Sequence, residues 1–362
     1  MSYGIFAALT LVPVISLIYI ISVCFLFRIY QELDGARELT AGKAERFFFT
    51  LYNESPIVFS GIRVVFFSDL SGISGLDDCT EYELPPRSGV KKQTVLLCRY
   101  RGEYEVGVRQ VVIQDFFRLF TFTYKNREPF KITVKPDIIH LTALDSAEMI
   151  MNAARESADN KREPDVFVRE YDPGDDPRLI NWKLSAVQNK LMVRELKGEE
   201  QQGIGIIMDS SRDGDEPLEY LPVENRILET VIGLTLFFNE RNVPVTVFYT
   251  GKGTVTDTVG RNGFDGFYSR MCAFSFEKEK DPGVLFREIM ERREIYSSGM
   301  VFMVVRKLDP RAAETVSGIS SFGIPVMVYV VSEDDGGDTP SLRIPRADVK
   351  VIPPSGALVD VI

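Results

Sequence analysis

The sequence predicts a multidomain chain made of an N-terminal transmembrane helix, an antiparallel β-sandwich and an α/β domain built on a parallel, Rossmann-type sheet. Three observations support this: an uncharged apolar run opens the chain, short strand-like segments follow it, and apolar strands then alternate with amphipathic helices. A length of 362 residues, with 45% hydrophobic and 26% charged side chains, is enough for two or three domains with their own cores. The predicted parts are a transmembrane anchor at 1–28, a β-sandwich at 36–140, a connector at 141–200, the α/β domain at 201–332 and a C-terminal tail at 333–362.

The first element is the apolar run. No charged side chain occurs between Met1 and Phe27, and about 20 such residues at a rise of about 1.5 Å each cross the core of a bilayer. A cleaved signal peptide and a buried core helix are the alternatives, but no basic residue precedes the run and no small-x-small cleavage site follows it. Because basic residues follow the run closely and none precedes it, we expect a single-pass protein of the cell membrane with cytoplasmic C-terminal domains.

Short alternating runs rich in β-branched and aromatic residues fill most of the next hundred positions. Turn-forming stretches separate these runs, and no helical periodicity lies between them. The pattern predicts an antiparallel sandwich of about seven strands. The runs that carry the prediction are 46–51, 57–67, 90–100, 103–115, 119–124 and 130–135.

In the α/β domain, continuous apolar segments predict strands that are covered on both faces. The strands are predicted at 203–209, 243–249, 299–305 and 324–331, and the helices at 223–240, 281–297 and 309–321. The tail from Ser332 is rich in Gly, Pro and Asp and is predicted to lie on the surface. Because open parallel sheets bind ligands at the carboxyl ends of their strands, we expect a site where the first strand ends, at Asp209.

Hard oxygen ligands cluster at that strand end. Asp209 is followed by Ser211 and Asp213, and such groups on one tight turn can bind Mg²⁺ or Mn²⁺ while waters and a partner's carboxylate complete the octahedron. The turn resembles the metal-ion-dependent adhesion motif Asp-x-Ser-x-Ser of von Willebrand factor type A domains, with Asp213 in place of the last serine. The alternative is an acidic turn that caps the next helix without an ion. Candidates for remote ligands are Thr254, Thr256, Thr258 and Asp309.

A second candidate region is the polar segment between residues 168 and 195, which contains the chain's one tryptophan. Its pattern predicts a strand, a Pro-Gly turn, a short helix and a second strand. Acids and bases alternate closely around the tryptophan, so the segment is either a partly buried ion-pair network or a docking surface anchored by the tryptophan and an arginine. The residues singled out are Arg169, Tyr171, Asp175, Asp176, Arg178, Trp182, Lys183 and Arg194.

The run Arg-Glu-Tyr-x-Pro-Gly-Asp-Asp-x-Arg-x-Ile-x-Trp-Lys-x-Ser-Ala at 169–186, followed by Leu-x-Val-Arg-Glu at 191–195, resembles the signature of the bacterial family known as domain of unknown function 58. The resemblance extends over nearly the whole chain and includes the stretches 101–104 and 115–120. It implies a von Willebrand A-like domain and a MoxR-type AAA+ ATPase as partner, because such relatives are commonly encoded beside these ATPases. Asn181 stands where the family often has Asp, and many relatives have two membrane helices where one is predicted here.

Composition argues against several function classes. His140 is the single histidine, so a catalytic triad or a His-rich zinc site has too few imidazoles. The four cysteines are too scattered for a disulfide scaffold or a Cys-x-x-Cys zinc site. A net charge of −10 argues against nucleic-acid binding, and no glycine pattern for nucleotide binding is complete.

These observations predict a non-enzymatic, membrane-anchored protein-interaction module that works with a MoxR-type ATPase in envelope protein assembly or stress functions. One alternative is a metal-dependent enzyme acting on envelope precursors, with the carboxylates at 209–216 or 172–176 as metal ligands or general base. Another is a scaffold without an ion or a partner site.

Overall fold

The computed structural model describes most of the chain as two compact units. One unit comprises residues 1–137 with 216–225, and the other comprises 138–215 with 226–362. The described residues are 2–34, 38–76, 80–142, 144, 167–171, 182, 185–186, 190–195, 203–251, 253–278, 280–332, 346–356 and 358.

An N-terminal helix, α1, spans Ser2–Leu26 and continues through Pro13. One side of its second half packs on the strands that follow. Val23 is buried there, and the ring of Tyr19 meets the ring of Phe59 edge-on at 5.9 Å. Of the helices whose side chains the structure describes, none is long and apolar enough to cross a membrane.

Strands and turns make up the rest of the first unit up to residue 135. They form three sheets, in the orders β1-β3-β7-β5, β10-β9-β4-β6 and β2-β11-β8, and only the short β2 pairs in parallel. The strands are β1 Phe27–Leu33, β2 Glu38–Thr40, β3 Ala44–Asn53, β4 Phe59–Phe66, β5 Ser71–Ser74, β6 Glu81–Leu84, β7 Ser88–Cys98, β8 Gly102–Val106, β9 Val108–Gln114, β10 Thr121–Lys125 and β11 Phe130–Lys135.

Alternate residues of these strands point into a shared apolar core, as a pleated strand requires. In β3, Phe47, Phe49 and Leu51 are fully buried while their neighbours are partly exposed. This arrangement confirms a sandwich-like architecture. The single strand predicted at 103–115 is interrupted at Gly107, where φ is +90° and a Cβ would collide with the side chain of Gln31.

The second unit begins with an antiparallel pair, β12 Phe167–Glu170 and β13 Met192–Glu195, and continues into a six-stranded sheet. The order of the sheet is β16-β15-β14-β17-β18-β19. Its strands are β14 Ile204–Met208, β15 Val245–Thr250, β16 Thr254–Val259, β17 Met300–Val305, β18 Val326–Val331 and β19 Ala347–Ile352. The helices are α3 Phe264–Cys272, α4 Pro282–Glu291, α5 Arg293–Tyr296 and α6 Pro310–Ser321, together with the part of α2 Pro217–Glu240 that follows residue 225.

Both faces of this sheet are covered, which is why its central strands are apolar throughout. On one face, Phe302 of β17 packs against Phe238 of α2 with ring centroids 5.5 Å apart. On the other face, Val301 and Met303 share a core with side chains of α4 and α6, among them Leu285.

Two features of the sheet differ from the sequence-based expectation. β16 runs antiparallel to β15, so the sheet is mixed rather than parallel. Residues 347–352, assigned to a surface tail, instead form β19 and pair in parallel with β18. Only Ile352 of β19 is fully buried, so this edge strand lacks the continuous apolar run that revealed the inner strands.

Candidate functional site

The candidate site lies where β14 and β17 end side by side. The two strands are parallel, and their register pairs Met208 with Val304. The backbone N–H of Asp209 then donates to the carbonyl of Val304 at 2.9 Å. Residues that follow β14 and β17 in sequence therefore meet at one edge of the sheet, as the topology of an open α/β sheet dictates.

Asp209 is 4% exposed and holds this edge together. Its Oδ1 accepts hydrogen bonds from the backbone N–H of Ser211 at 3.0 Å and from the Ser211 hydroxyl at 2.7 Å. Its Oδ2 accepts the backbone N–H of Arg306 at 3.3 Å. The carboxylate therefore faces donors from its own turn and from the end of β17.

Arg306 places a buried positive charge beside that turn. The residue is 8% exposed, and one Nη atom donates to the carbonyl of Ser211 at 2.5 Å. Within the described part of the chain, its Nε is buried without a hydrogen-bond partner. A buried donor of a charged group is costly to leave unpaired, because its hydration is lost. Among the described residues, Arg63 and Arg226 also have a buried Nε without a partner, but of these three arginines only Arg306 lines the cavity at this edge of the sheet.

A cavity of about 300 Å³ opens at this edge and is lined by more basic than acidic side chains. The basic ones are Arg212, Lys278, Lys280, Arg306 and Lys307, and the acidic ones are Asp209, Asp213 and Asp309. Cations therefore predominate here, although the whole chain carries a net charge of −10.

Several of these cations are paired at the rim. Lys307 Nζ lies 3.2 Å from Asp213 Oδ2, and this hydrogen bond and charge lower the pKa of the Asp213 carboxyl. Lys278 contacts Asp215, and Lys280 lies 3.6 Å from Glu277. The pairs of Lys307 with Asp213 and of Lys278 with Asp215 are open to water, whereas the side chains of Lys280 and Arg306 are not.

As they are bonded here, Asp209, Ser211 and Asp213 do not present a set of metal ligands. The Ser211 hydroxyl donates to Asp209, and Asp213 pairs with Lys307. Asp309 lines the cavity, but its carboxylate accepts the Ala312 N–H at 2.7 Å as the cap of α6. Among the described residues, no group of three His, Cys, Asp or Glu side chains could hold an ion. Binding of Mg²⁺ or Mn²⁺ at this turn stays a prediction.

The three threonines proposed as remote ligands lie on the antiparallel strand β16 and do not line the cavity. The Thr256 hydroxyl accepts a hydrogen bond from Arg292 at 2.5 Å, and Arg292 also donates to the Thr254 carbonyl at 2.9 Å. Thr258 lies 3.4 Å from Thr246, hydroxyl to hydroxyl.

The polar segment of the connector is described only in part. Trp182 is 67% exposed, so the ring is not the buried centre of an ion-pair network. The Tyr171 N–H donates to the Leu191 carbonyl at 2.8 Å, and the buried Ser185 hydroxyl accepts the Met192 N–H at 2.9 Å. Arg169 and Arg194 lie on the paired strands β12 and β13. Asp175, Asp176, Arg178 and Lys183 lie outside the described residues.

Sequence reasoning missed the basic side of the cavity. Arg306 and Lys307 directly follow the apolar strand β17, so the rule that drew attention to Asp209 could also have found them. Lys278 and Lys280 lie in a loop between α3 and α4 that carries no strand signal.

Residues 167–231 match the family model described as Protein of unknown function DUF58. The matched range contains the whole of the 169–186 and 191–195 signature, together with the Asp209 turn, and it confirms the family resemblance there. No curated protein matches the chain.

Solved structures give only weak likenesses. A native Escherichia coli alpha-2-macroglobulin is 18% identical, with 31% of this chain and 7% of that chain covered and a TM-score of 0.24. An alpha-2-macroglobulin fragment from the same organism, from domain MG7 to the C-terminus, is 17% identical, with 32% and 17% covered and a TM-score of 0.25. The CARDB domain of a Pyrococcus furiosus protein in complex with di-metal ions is 15% identical, with 30% and 90% covered and a TM-score of 0.22. None of these likenesses carries an argument about this chain.

Proposed function

We propose that this chain, which matches the DUF58 family over residues 167–231, is a membrane-anchored protein-interaction module. Its α/β unit binds an acidic side chain of a protein partner in the cavity where β14 and β17 end. The observation that carries the proposal is the buried guanidinium of Arg306, whose Nε has no hydrogen-bond partner among the described residues and which lines that cavity.

A carboxylate is the group that these residues suit. It accepts charge-assisted hydrogen bonds from a guanidinium and would satisfy the buried N–H of Arg306. A volume of about 300 Å³ is at the small end of ligand cavities, which is ample for one side chain. The resemblance to von Willebrand A domains implies capture of a partner's carboxylate by a bound metal; in this proposal Arg306 supplies the positive charge instead.

Membrane attachment is part of the proposal and rests on the first 27 residues, which carry no charge. They coincide with the 25-residue helix α1, and the basic residues that follow it, Arg28 first, favour a cytoplasmic position for the rest of the chain. The proposed partner class is a MoxR-type AAA+ ATPase acting in envelope protein assembly or stress functions, and the DUF58 match supports it by family association alone.

The test is capture of the MoxR-type ATPase from the same cell by the full-length chain in detergent micelles. We expect Arg306→Gln to weaken capture at least tenfold, because a hydrogen bond to a charged group contributes about 1.5–3 kcal/mol and about 1.4 kcal/mol is tenfold. Lys307→Gln changes an exposed rim charge, is expected to preserve the fold and should weaken capture less. Lys131→Gln, an exposed lysine of β11, is the matched control and should have no effect.

The outcomes separate the parts of the proposal. Unchanged capture by the folded Arg306 and Lys307 variants would contradict the site. Capture that is lost in a chelator and persists in Arg306→Gln would favour the metal instead. Failure of the wild-type chain to bind the ATPase would remove this partner class.

A further inference from the structure

The loop between β9 and β10 exposes a compact group of apolar side chains. Phe116 is 81% exposed, Phe117 52% and Leu119 52%. Large apolar side chains standing together in water are unusual and mark contact surfaces. We call residues 115–120 the aromatic loop.

The aromatic loop is rigidly built around one buried acid. Asp115 is 3% exposed and accepts the backbone N–H of Phe117 at 3.1 Å and that of Phe120 at 2.6 Å. Arg118 adopts a left-handed φ of +56° and donates its N–H to the Asp115 carbonyl at 2.9 Å. These bonds close the turn at its base, so the apolar side chains are held outward.

The same acid fixes the aromatic loop to helix α1. The Ser16 hydroxyl, 2% exposed, donates to Asp115 Oδ2 at 2.7 Å. Farther along the helix, the Tyr19 hydroxyl accepts the Ser60 N–H at 2.9 Å. Ser16 lies about 15 Å along the helix axis from Leu26, at about 1.5 Å per residue. The aromatic loop is therefore held beside the middle of α1.

The side of α1 that does not pack on the strands is also apolar and exposed. Its exposed side chains include Leu17, Ile18, Ile21 and Phe25, which are 48–69% exposed. None of residues 10–26 is charged, so α1 and the aromatic loop present apolar surface in the same region of one unit. Lipid covers such an uncharged helix surface if α1 enters a membrane.

We infer that the aromatic loop is a second membrane contact, which inserts Phe116, Phe117 and Leu119 into the interfacial layer of the bilayer that the part of α1 before Ser16 enters. The inference rests on the membrane anchor of the proposed function. Aromatic and leucine side chains with a neighbouring arginine are the composition that binds this layer. Arg118, whose side chain is 72% exposed and lies 3.7 Å from Glu81, is the arginine of the aromatic loop.

The test uses the single tryptophan of the chain. In the full-length protein, Trp182→Phe removes that tryptophan and Phe116→Trp places one on the aromatic loop. The protein is reconstituted into phosphatidylcholine vesicles with and without brominated acyl chains, which quench tryptophan on contact. We expect brominated lipid to lower the emission about twofold or more and the emission maximum to be blue-shifted, because the indole lies at the acyl boundary.

Phe322→Trp in the same Trp182→Phe background is the matched control. Phe322 is 66% exposed and lies at the end of α6, in the unit that does not contain α1. The emission of a tryptophan at this position should therefore not respond to brominated lipid. If the Phe116→Trp protein floats with the vesicles but is not quenched, the inference is wrong while the anchor stands. Shielding from aqueous acrylamide without lipid quenching would show a protein contact, such as a second copy, and would also overturn it. If no variant floats with vesicles, the anchor itself fails.

Discussion

Two buried carboxylates, Asp115 and Asp209, each hold a turn by accepting three hydrogen bonds from protein donors. At Asp115, burial raises the pKa, but the bonds from the Phe120 N–H, the Ser16 hydroxyl and the Phe117 N–H lower it, and the pKa ends below its ordinary value. The charged form of Asp115 is therefore a structural requirement of the aromatic loop.

We expect Asp115→Asn to lower the free energy of unfolding at pH 7 by about 1–3 kcal/mol, because the amide turns a donor toward a group that donates. The folded pKa of Asp115 lies below its unfolded value of about 3.9, so its stabilisation is present above that value and is lost as the pH falls through the folded pKa. Denaturation in detergent at pH 7 and pH 3 measures both effects. The gap in stability between the wild-type chain and the variant should be smaller at pH 3 than at pH 7; an equal gap at both pH values would show that ionisation of Asp115 plays no part.

The exposure of Trp182 distinguishes the two interpretations of the polar segment, a partly buried ion-pair network and a docking surface. Because the ring is 67% exposed, Trp182→Ala should change the free energy of unfolding by no more than about 0.5 kcal/mol. If the segment is a docking surface, the same variant should lose partner capture while its thermal unfolding stays unchanged. A loss of several kcal/mol would instead place the ring in a core.

At the scale of elements, two helices of the second unit begin at capping residues that can be recognised in the sequence. Asp309 and Asp281 each cap a helix whose first residue is proline, and each carboxylate accepts a backbone N–H of the first turn. The capping role explains why Asp309 lies at the cavity without being a free ligand.

Asp309→Ala should therefore lower the free energy of unfolding by about 0.5–2 kcal/mol, through loss of the bond to the Ala312 N–H. Asp309→Ser keeps a capping oxygen and should retain most of the stability. The measurement is the thermal unfolding temperature of the wild-type chain and both variants, with and without Mg²⁺. A Mg²⁺-dependent rise in the wild-type unfolding temperature that both variants lack would assign Asp309 to a metal site.

The strands that the sequence predicts well are those in which every residue is buried. β14, β17 and β18 are fully buried, and their apolar runs identify them at once. β16 and β19 lie at the edges of the sheet and are mostly half-exposed, so their mixed composition gives no clear period. Short β2, β5 and β6 escape prediction because three or four residues are too few to show alternation.

At the scale of the whole molecule, charge and apolar surface are unevenly distributed. A chain of net charge −10 concentrates basic side chains around one cavity, and this local field favours an anionic group over a cationic one. In the first unit, exposed apolar surface gathers on α1 and the aromatic loop. The proposed partner site and the proposed lipid contact therefore depend on different forces and can be tested separately.

By itself the sequence determined the uncharged opening helix, the change from strand-like to alternating strand and helix patterns, and the position of Asp209 at a strand end. These follow from composition and period along a continuous stretch of chain. Only the tertiary structure decided that Arg306 reaches the Ser211 carbonyl and that Ser16 binds Asp115. Each of these pairs is separated by more than ninety residues, and strand register and packing, which leave no mark in local sequence, bring the partners together.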